Sequence, residues 1–116
     1  MTAMKGSWMI VGHIEDIPVR GARVIKTPAG CIAVFRAADD QVFALDDRCP
    51  HRGGPLSQGI VHGTSVTCPL HSMVLSLETG EAQGADKGKV RTYPVRIENG
   101  MLMLEASHFG SRDAAA

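Results

Sequence analysis

The sequence lacks the charge imbalance that marks many binding proteins. Its 12 basic and 12 acidic side chains cancel, and no run of like charge is longer than a dipeptide. Proteins that bind nucleic acid or an anionic membrane usually carry a basic patch, and this sequence offers none. We therefore expect another protein or a small molecule as the partner, with no nucleic acid and no membrane.

Long apolar runs and a cysteine framework are also missing. The first residues hold one lysine and only a few apolar side chains before Gly12, which is too little for a signal peptide or a membrane span. Three cysteines do not make a disulfide framework. We predict a cytoplasmic protein, and in that reducing compartment cysteine beside histidine more often indicates a bound metal.

Helical periodicity is scarce, and short apolar stretches rich in valine and isoleucine are separated by turn signals. The 13 glycines and 6 prolines supply many of these signals. This pattern predicts a single all-β domain, a small sandwich or barrel of antiparallel strands. The predicted strands are Trp8 to Val11, Ala22 to Lys26, Cys31 to Arg36, Val42 to Leu45, Ser65 to Thr67, Met73 to Leu77, Tyr93 to Glu98 and Met101 to Glu105.

The clearest turn is Asn99-Gly100, because both residues accept the positive φ angles that a type I′ hairpin turn requires. We expect the domain to span residues 1–106. Residues 107–116 show no apolar pattern, so they are predicted to form a flexible tail.

Two short arms carry the chemistry. Cys49 and His51 are separated by one residue, Cys68 and His71 by two, and sixteen residues lie between the arms. Each arm offers one thiolate and one imidazole, which suits either a tetrahedral Zn²⁺ site or an iron–sulfur cluster. The ligand count leaves both open, beside the simpler interpretation that these are core residues without a metal.

The mixed composition of each arm favours the cluster. Zinc fingers usually pair Cys with Cys and His with His, whereas one thiolate and one imidazole from each arm suit two adjacent metals. The pattern C-x-H-x16-C-x-x-H resembles the Rieske [2Fe–2S] motif. This resemblance implies that Cys49 and Cys68 bind one iron and that His51 and His71 bind the other. It also implies a two-loop cluster-binding subdomain at about residues 46–75.

Several marks of the high-potential Rieske proteins are absent. Those proteins join the two loops by a disulfide at positions that are Gly54 and Leu70 here, and their hydroxyl donors fall at Met73 and Leu75. Fewer hydrogen bonds to the cluster sulfurs leave its reduced state less stabilised. The resemblance therefore implies a potential toward the low end of the Rieske range, about −150 mV rather than +300 mV.

The amino-acid sequence around the arms resembles that of one Rieske family in particular, the small subunit of NAD(P)H-dependent nitrite reductase. The stretch LDDRCPHRGGPLSQG carries much of the likeness, and Ser72-Met73 departs from the family's usual polar and aromatic pair. The other similar segments are Trp8 to Gly12, Glu15 to Pro18, Gly21 to Arg23, Ile32 to Arg36, Leu77 to Ala82 and Tyr93 to Arg96.

This resemblance implies an electron-transfer subunit of a cytoplasmic enzyme that reduces nitrite to ammonia in nitrate assimilation. FAD, sirohaem and a [4Fe–4S] cluster would sit on a large partner subunit, because this chain has no glycine-rich nucleotide loop. The chain alone would then have no turnover. One alternative is a free Rieske ferredoxin that delivers electrons to an aromatic-ring oxygenase, and another is a structural module held by zinc.

The remaining candidates receive plainer interpretations. Cys31 lies in an apolar strand and is predicted to be a buried core thiol. Arg48 and Arg52 either steer an acidic partner, lower the energy of the reduced cluster, or pair with Asp46 and Asp47. The other histidines are expected at the surface, and these are His13, His62 and His108.

Overall fold

The computed structural model describes residues 4–5, 8–27, 30–48, 55–69, 73–83 and 88–105. Within them the chain forms eleven strands and two 3₁₀ turns, the turns at Ile14–Asp16 and Leu56–Gln58. The strands are β1 Met4–Lys5, β2 Trp8–His13, β3 Ala22–Thr27, β4 Gly30–Arg36, β5 Val42–Asp46, β6 Ile60–His62, β7 Ser65–Thr67, β8 Val74–Ser76, β9 Thr92–Tyr93, β10 Val95–Glu98 and β11 Met101–Glu105.

The strands form three antiparallel sheets. Sheet 1 has the order β1-β2-β11-β10, sheet 2 the order β3-β4-β5-β9, and sheet 3 the order β6-β7-β8. The predicted all-β class is confirmed, because the described residues contain no α-helix. Sheet 3 lies in the part of the chain that carries the two arms.

Strand β4 lies between two apolar cores, which explains its unbroken apolar sequence. Ala33 and Phe35 face the loop-side core, whereas Ile32 and Val34 face the hairpin-side core, because successive side chains of a strand point to opposite faces. The loop-side core consists of Ala33, Phe35, Leu45, Leu56, Val61, Val66, Cys68, Met73, Leu75, Leu77 and Val90. The hairpin-side core consists of Ile17, Ile32, Val34, Ala44, Tyr93, Leu102 and Leu104.

The expected strand from Tyr93 to Glu98 is two strands. Tyr93 pairs with Ala44 in sheet 2, whereas Val95 pairs with Leu104 in sheet 1. Pro94 lies between them and has no backbone N–H to give to a ladder. The chain therefore passes from one sheet to the next at this proline, which a continuous apolar pattern conceals.

The hairpin between β10 and β11 has the predicted turn. Asn99 and Gly100 both have positive φ angles, 53° and 80°, as a type I′ turn requires. By contrast, no strand is predicted from the sequence at β6, which pairs with the predicted strand β7. No helix in the described part of the chain is long and apolar enough to cross a membrane.

The prediction that Cys31 is a core thiol is wrong. Its side chain is exposed, whereas the next four residues of β4 are buried. Cys31 shares a face with Ala33 and Phe35, but it lies near the beginning of the strand, where it pairs with Lys26 beyond the edge of the core. An apolar run fixes which face a residue takes and leaves open where along the strand the core ends.

Candidate metal centre

The described residues include one of the four predicted ligands. Cys68 directly follows β7 and is buried, with 1% of its surface exposed. Its backbone N–H donates to the carbonyl of Met73 at 2.7 Å. This bond joins the two ends of the segment that contains His71. Cys49, His51 and His71 lie outside the described residues, as do Gly54 and Leu70.

The first arm leaves sheet 2 at the end of β5 and returns at the turn Leu56–Gln58. The Asp47 carboxylate accepts two hydrogen bonds from Ser57, from the backbone N–H at 2.7 Å and from Oγ at 3.0 Å. Leu56, the next residue back, is fully buried in the loop-side core. Both ends of the segment that contains Cys49 and His51 are therefore anchored.

The bases of the two arms meet at Gly59. A Cβ on this glycine would lie 2.2 Å from the carbonyl oxygen of Thr67, the residue before Cys68. Leu56 also shares the loop-side core with Cys68 and Met73. The fold thus brings the end of the first arm against the strand that leads to the second.

Asp46, the last residue of β5, is held by two hydrogen bonds. The Tyr93 hydroxyl donates to Asp46 Oδ1 at 2.6 Å, and the Asp46 N–H donates to the carbonyl of Arg91 at 3.0 Å. Burial, followed by this bond to a negative carboxylate, raises the pKa of Tyr93 to about 12. Tyr93 therefore ties the beginning of the first arm to the hairpin-side core.

Because the pKa of Tyr93 is raised, the fold loses stability as the pH becomes strongly alkaline. Because the folded state binds the Tyr93 proton more tightly, its stabilising contribution is complete below pH 10 and is lost as the pH approaches 12. We expect the free energy of unfolding to fall by about 2–3 kcal/mol more in the native protein than in Tyr93→Phe across this window. Denaturant unfolding of both proteins at several pH values measures the difference. Equal pH dependence would contradict the assignment.

Asp46 and Asp47 accept hydrogen bonds from residues other than the neighbouring Arg48. Within the described residues, no ion pair joins Arg48 to Asp46 or Asp47. The two carboxylates accept from Tyr93 and Ser57 instead. The sequence places Asp46 and Asp47 at the start of the first arm but does not identify their donors, Tyr93 and Ser57. The only sequence signal for a role in the loop is that the two aspartates directly precede Arg48 and Cys49.

The apolar character of the positions after His71 persists in the fold. Met73 and Leu75 are buried in the loop-side core and carry no hydroxyl. We expect a midpoint potential toward the low end of the Rieske range, about −150 mV, because these side chains cannot donate hydrogen bonds to a cluster sulfur. A redox titration followed by visible circular dichroism measures it, and a value well above zero would contradict the expectation.

The other histidine predictions have mixed outcomes. His62 is exposed and its Nε2 lies 2.7 Å from Thr67 Oγ1, so its expected surface position is confirmed. His13 is half-buried, and its Nδ1 accepts from the N–H of Glu15 to cap the first 3₁₀ turn. His108 lies outside the described residues.

The described residues form antiparallel sheets in which the buried Cys68 shares a core with Leu56, the residue where the chain returns from the first arm. The model of the Rieske-like [2Fe–2S] domain matches residues 7–105. The chain belongs to this family. It is an electron carrier of oxidoreductase systems, and its cofactor is a Rieske-type [2Fe–2S] cluster.

Relatives and solved structures differ in how closely they match. The anthranilate 1,2-dioxygenase ferredoxin subunit of Burkholderia cepacia is 42% identical over 101 residues, which cover 86% of this chain and 93% of the relative. The 3-phenylpropionate/cinnamic acid dioxygenase ferredoxin subunit of Photorhabdus laumondii is 36% identical over 104 residues, covering 87% and 96%. A structure described as a nitrite reductase (NADPH) small subunit is 20% identical, covers 84% and 96%, and has a TM-score of 0.76.

Proposed function

We propose that Cys49 and Cys68 bind one iron of the cluster and that His51 and His71 bind the other, within loops at about residues 46–75. The donor chemistry supports this assignment, because two thiolates and two imidazoles form the Rieske ligand set. The convergence of the two arm bases at Gly59 supports it independently. The zinc-held module loses its support, since the family's cofactor is a [2Fe–2S] cluster.

The chain's own residues suit a carrier of single electrons. When bound, the cluster supplies reversible one-electron oxidation and reduction. The buried side chains of Leu56, Met73 and Leu75 exclude water beneath the arms. The bonds from Cys68 to Met73 and from Ser57 to Asp47 restrain the backbone, so little rearrangement accompanies the change of charge.

We further propose that this chain is a Rieske ferredoxin that delivers electrons to the oxygenase component of a ring-hydroxylating system. The observation that carries this proposal is the 42% identity to a dioxygenase ferredoxin subunit across nearly the full length of both chains. A second ferredoxin subunit of this kind is 36% identical over a similar length. The comparisons thus favour the alternative interpretation of the sequence over the nitrite reductase subunit.

The nitrite reductase small subunit remains the second candidate. The similar segments between Trp8 and Arg96 favour this candidate. The likeness to the solved small-subunit structure, at 20% identity, supports the fold alone. FAD, sirohaem and the [4Fe–4S] cluster of a large partner subunit belong to this candidate only. The predicted cytoplasmic location and the domain bounds at residues 1–106 and 107–116 stay predictions.

Electron delivery to purified partners separates the two candidates. The chemically reduced protein is mixed with the oxygenase component of an anthranilate-type dioxygenase, or with a sirohaem nitrite reductase large subunit, each with its substrate. We expect fast reoxidation, seen as recovery of the visible spectrum, with the oxygenase and slow reoxidation with the reductase. The reverse order would overturn the oxygenase proposal in favour of the second candidate.

A further inference from the structure

The Asp47 carboxylate accepts two hydrogen bonds that have no part in the proposed ligand assignment. The carboxylate spans ten residues of sequence to accept both the N–H and the Oγ hydrogen of Ser57, at 2.7 and 3.0 Å. Both bonds are partly buried. Bonds to an ionised acceptor are among the stronger ones in proteins, and two of them converge here on a single carboxylate.

Each partner of this clamp is fixed independently. The Asp47 N–H donates to the carbonyl of Cys31 at 3.0 Å, which attaches it to β4. Ser57 lies in a 3₁₀ turn whose first residue, Leu56, is fully buried. The turn is closed by a bond from the Gln58 N–H to the carbonyl of Pro55 at 3.0 Å. The clamp therefore joins two rigid points.

We propose that Asp47 is a positioning residue for the first ligand arm, whose carboxylate clamps Ser57 and so fixes both ends of the segment that carries Cys49 and His51. The inference rests on the proposed ligand assignment. Closing a segment of chain before the cofactor binds lowers the entropy lost on binding. Groups that orient metal ligands commonly change metal affinity by about 10–100-fold when they are removed.

The chain contains a matched control for this clamp. Asp39, in the exposed turn between β4 and β5, accepts from the Gln41 N–H at 3.2 Å and from its side-chain Nε2 at 2.6 Å. These bonds lower the pKa of Asp39. Its carboxylate has the same bonding pattern as Asp47, with a backbone and a side-chain donor from one residue, but it brackets no ligand. Asp39→Ala therefore removes a similar pair of hydrogen bonds from a turn that carries no predicted ligand.

The first measurement needs no cluster. In the full chain without iron, amide hydrogen exchange at Ser57 should become about tenfold faster in Asp47→Ala, because the Ser57 N–H loses its acceptor. Exchange across residues 48–56 should also become faster, because one end of this segment is released. Ser57→Ala keeps the backbone bond and should give a smaller increase. Asp39→Ala should leave exchange in this segment unchanged.

The second measurement uses the protein with its cluster. Loss of iron to an excess of a strong chelator should be about tenfold faster in Asp47→Ala and intermediate in Ser57→Ala, which changes no charge. Ser57→Thr keeps the hydroxyl and should restore the native rate. The visible circular dichroism spectrum should change in the first two variants and match the native one in Ser57→Thr and Asp39→Ala.

Three failures are distinguishable. If Asp47→Ala keeps the native exchange and the native rate of iron loss, the clamp is overturned and the ligand assignment stands. If exchange accelerates while iron loss and the spectrum are unchanged, Asp47 orders the loop without positioning ligands, which also overturns the proposal. If the native chain binds no iron after anaerobic reconstitution with iron and sulfide, the proposed function fails, and with it the positioning role.

Discussion

Cys68→Ser should fold like the native protein and lose its cluster. A hydroxyl is a poor substitute for a thiolate on iron, and loss of a direct ligand should reduce cluster retention by at least the 10–100-fold, roughly, that is typical of outer-shell changes. Since Cys68 is buried at the end of β7, the substitution changes one atom in a packed position. Iron and acid-labile sulfide analysis, together with far-ultraviolet circular dichroism, separates cluster loss from unfolding.

Cys31→Ser is the matched control for this experiment. Cys31 is exposed on β4, and the same change of sulfur to oxygen there should leave the iron content and the visible spectrum unchanged. Full iron retention in Cys68→Ser would remove Cys68 from the ligand set. Equal loss in both variants would mean that exposed thiols contribute to cluster binding or assembly.

Gly59→Ala should destabilise the protein by about 3 kcal/mol. Gly59 has φ −81°, a backbone conformation that any residue adopts, so the cost is purely one of space. The added Cβ would lie 2.2 Å from the Thr67 carbonyl oxygen and 3.1 Å from that of Leu56. Relief requires the first arm to move away from the strand before Cys68. We therefore expect both a lower free energy of unfolding and poorer cluster retention.

Gly63→Ala provides the comparison. Gly63 has φ +58°, but a Cβ there meets nothing within 4 Å, so the cost should be about 1 kcal/mol of backbone strain with no loss of cluster. Chemical denaturation of the two variants, with iron analysis of each, tests the pair. A Gly59→Ala protein as stable as Gly63→Ala would mean that the two arms are not packed together at their bases.

Local sequence signals anticipate much of the fold, where the chemistry of a few neighbouring residues decides the structure. Asn99-Gly100 predicts its hairpin because both residues tolerate positive φ angles. The apolar run from Cys31 to Arg36 predicts strand β4. The break at Pro94 could have been predicted from its missing N–H, but the apolar residues on both sides suggested a continuous strand.

The candidate site could be predicted from the sequence only in part. The ligand types of the two arms limit the cofactor to zinc or an iron–sulfur cluster, and the mixed composition of each arm, with the resemblance to the Rieske motif, indicates the cluster. The donors to Asp46 and Asp47 could not be identified in this way. Tyr93 lies 47 residues from Asp46, and its pairing depends on the alignment of β9 beside β5. The neighbouring arginine was the nearer and more obvious partner.

The sequence by itself determined the class of fold, the cofactor type and the residues that offer themselves as ligands, since these depend on residue types and short spacings. Only the tertiary structure decided that Cys31 lies outside the core, that Gly59 joins the two arms, and that Asp47 binds Ser57. Each of these depends on contacts between strands and turns, even where, as for Asp47 and Ser57, the partners are only ten residues apart. Such contacts are fixed by how the sheets pack, which no local pattern encodes.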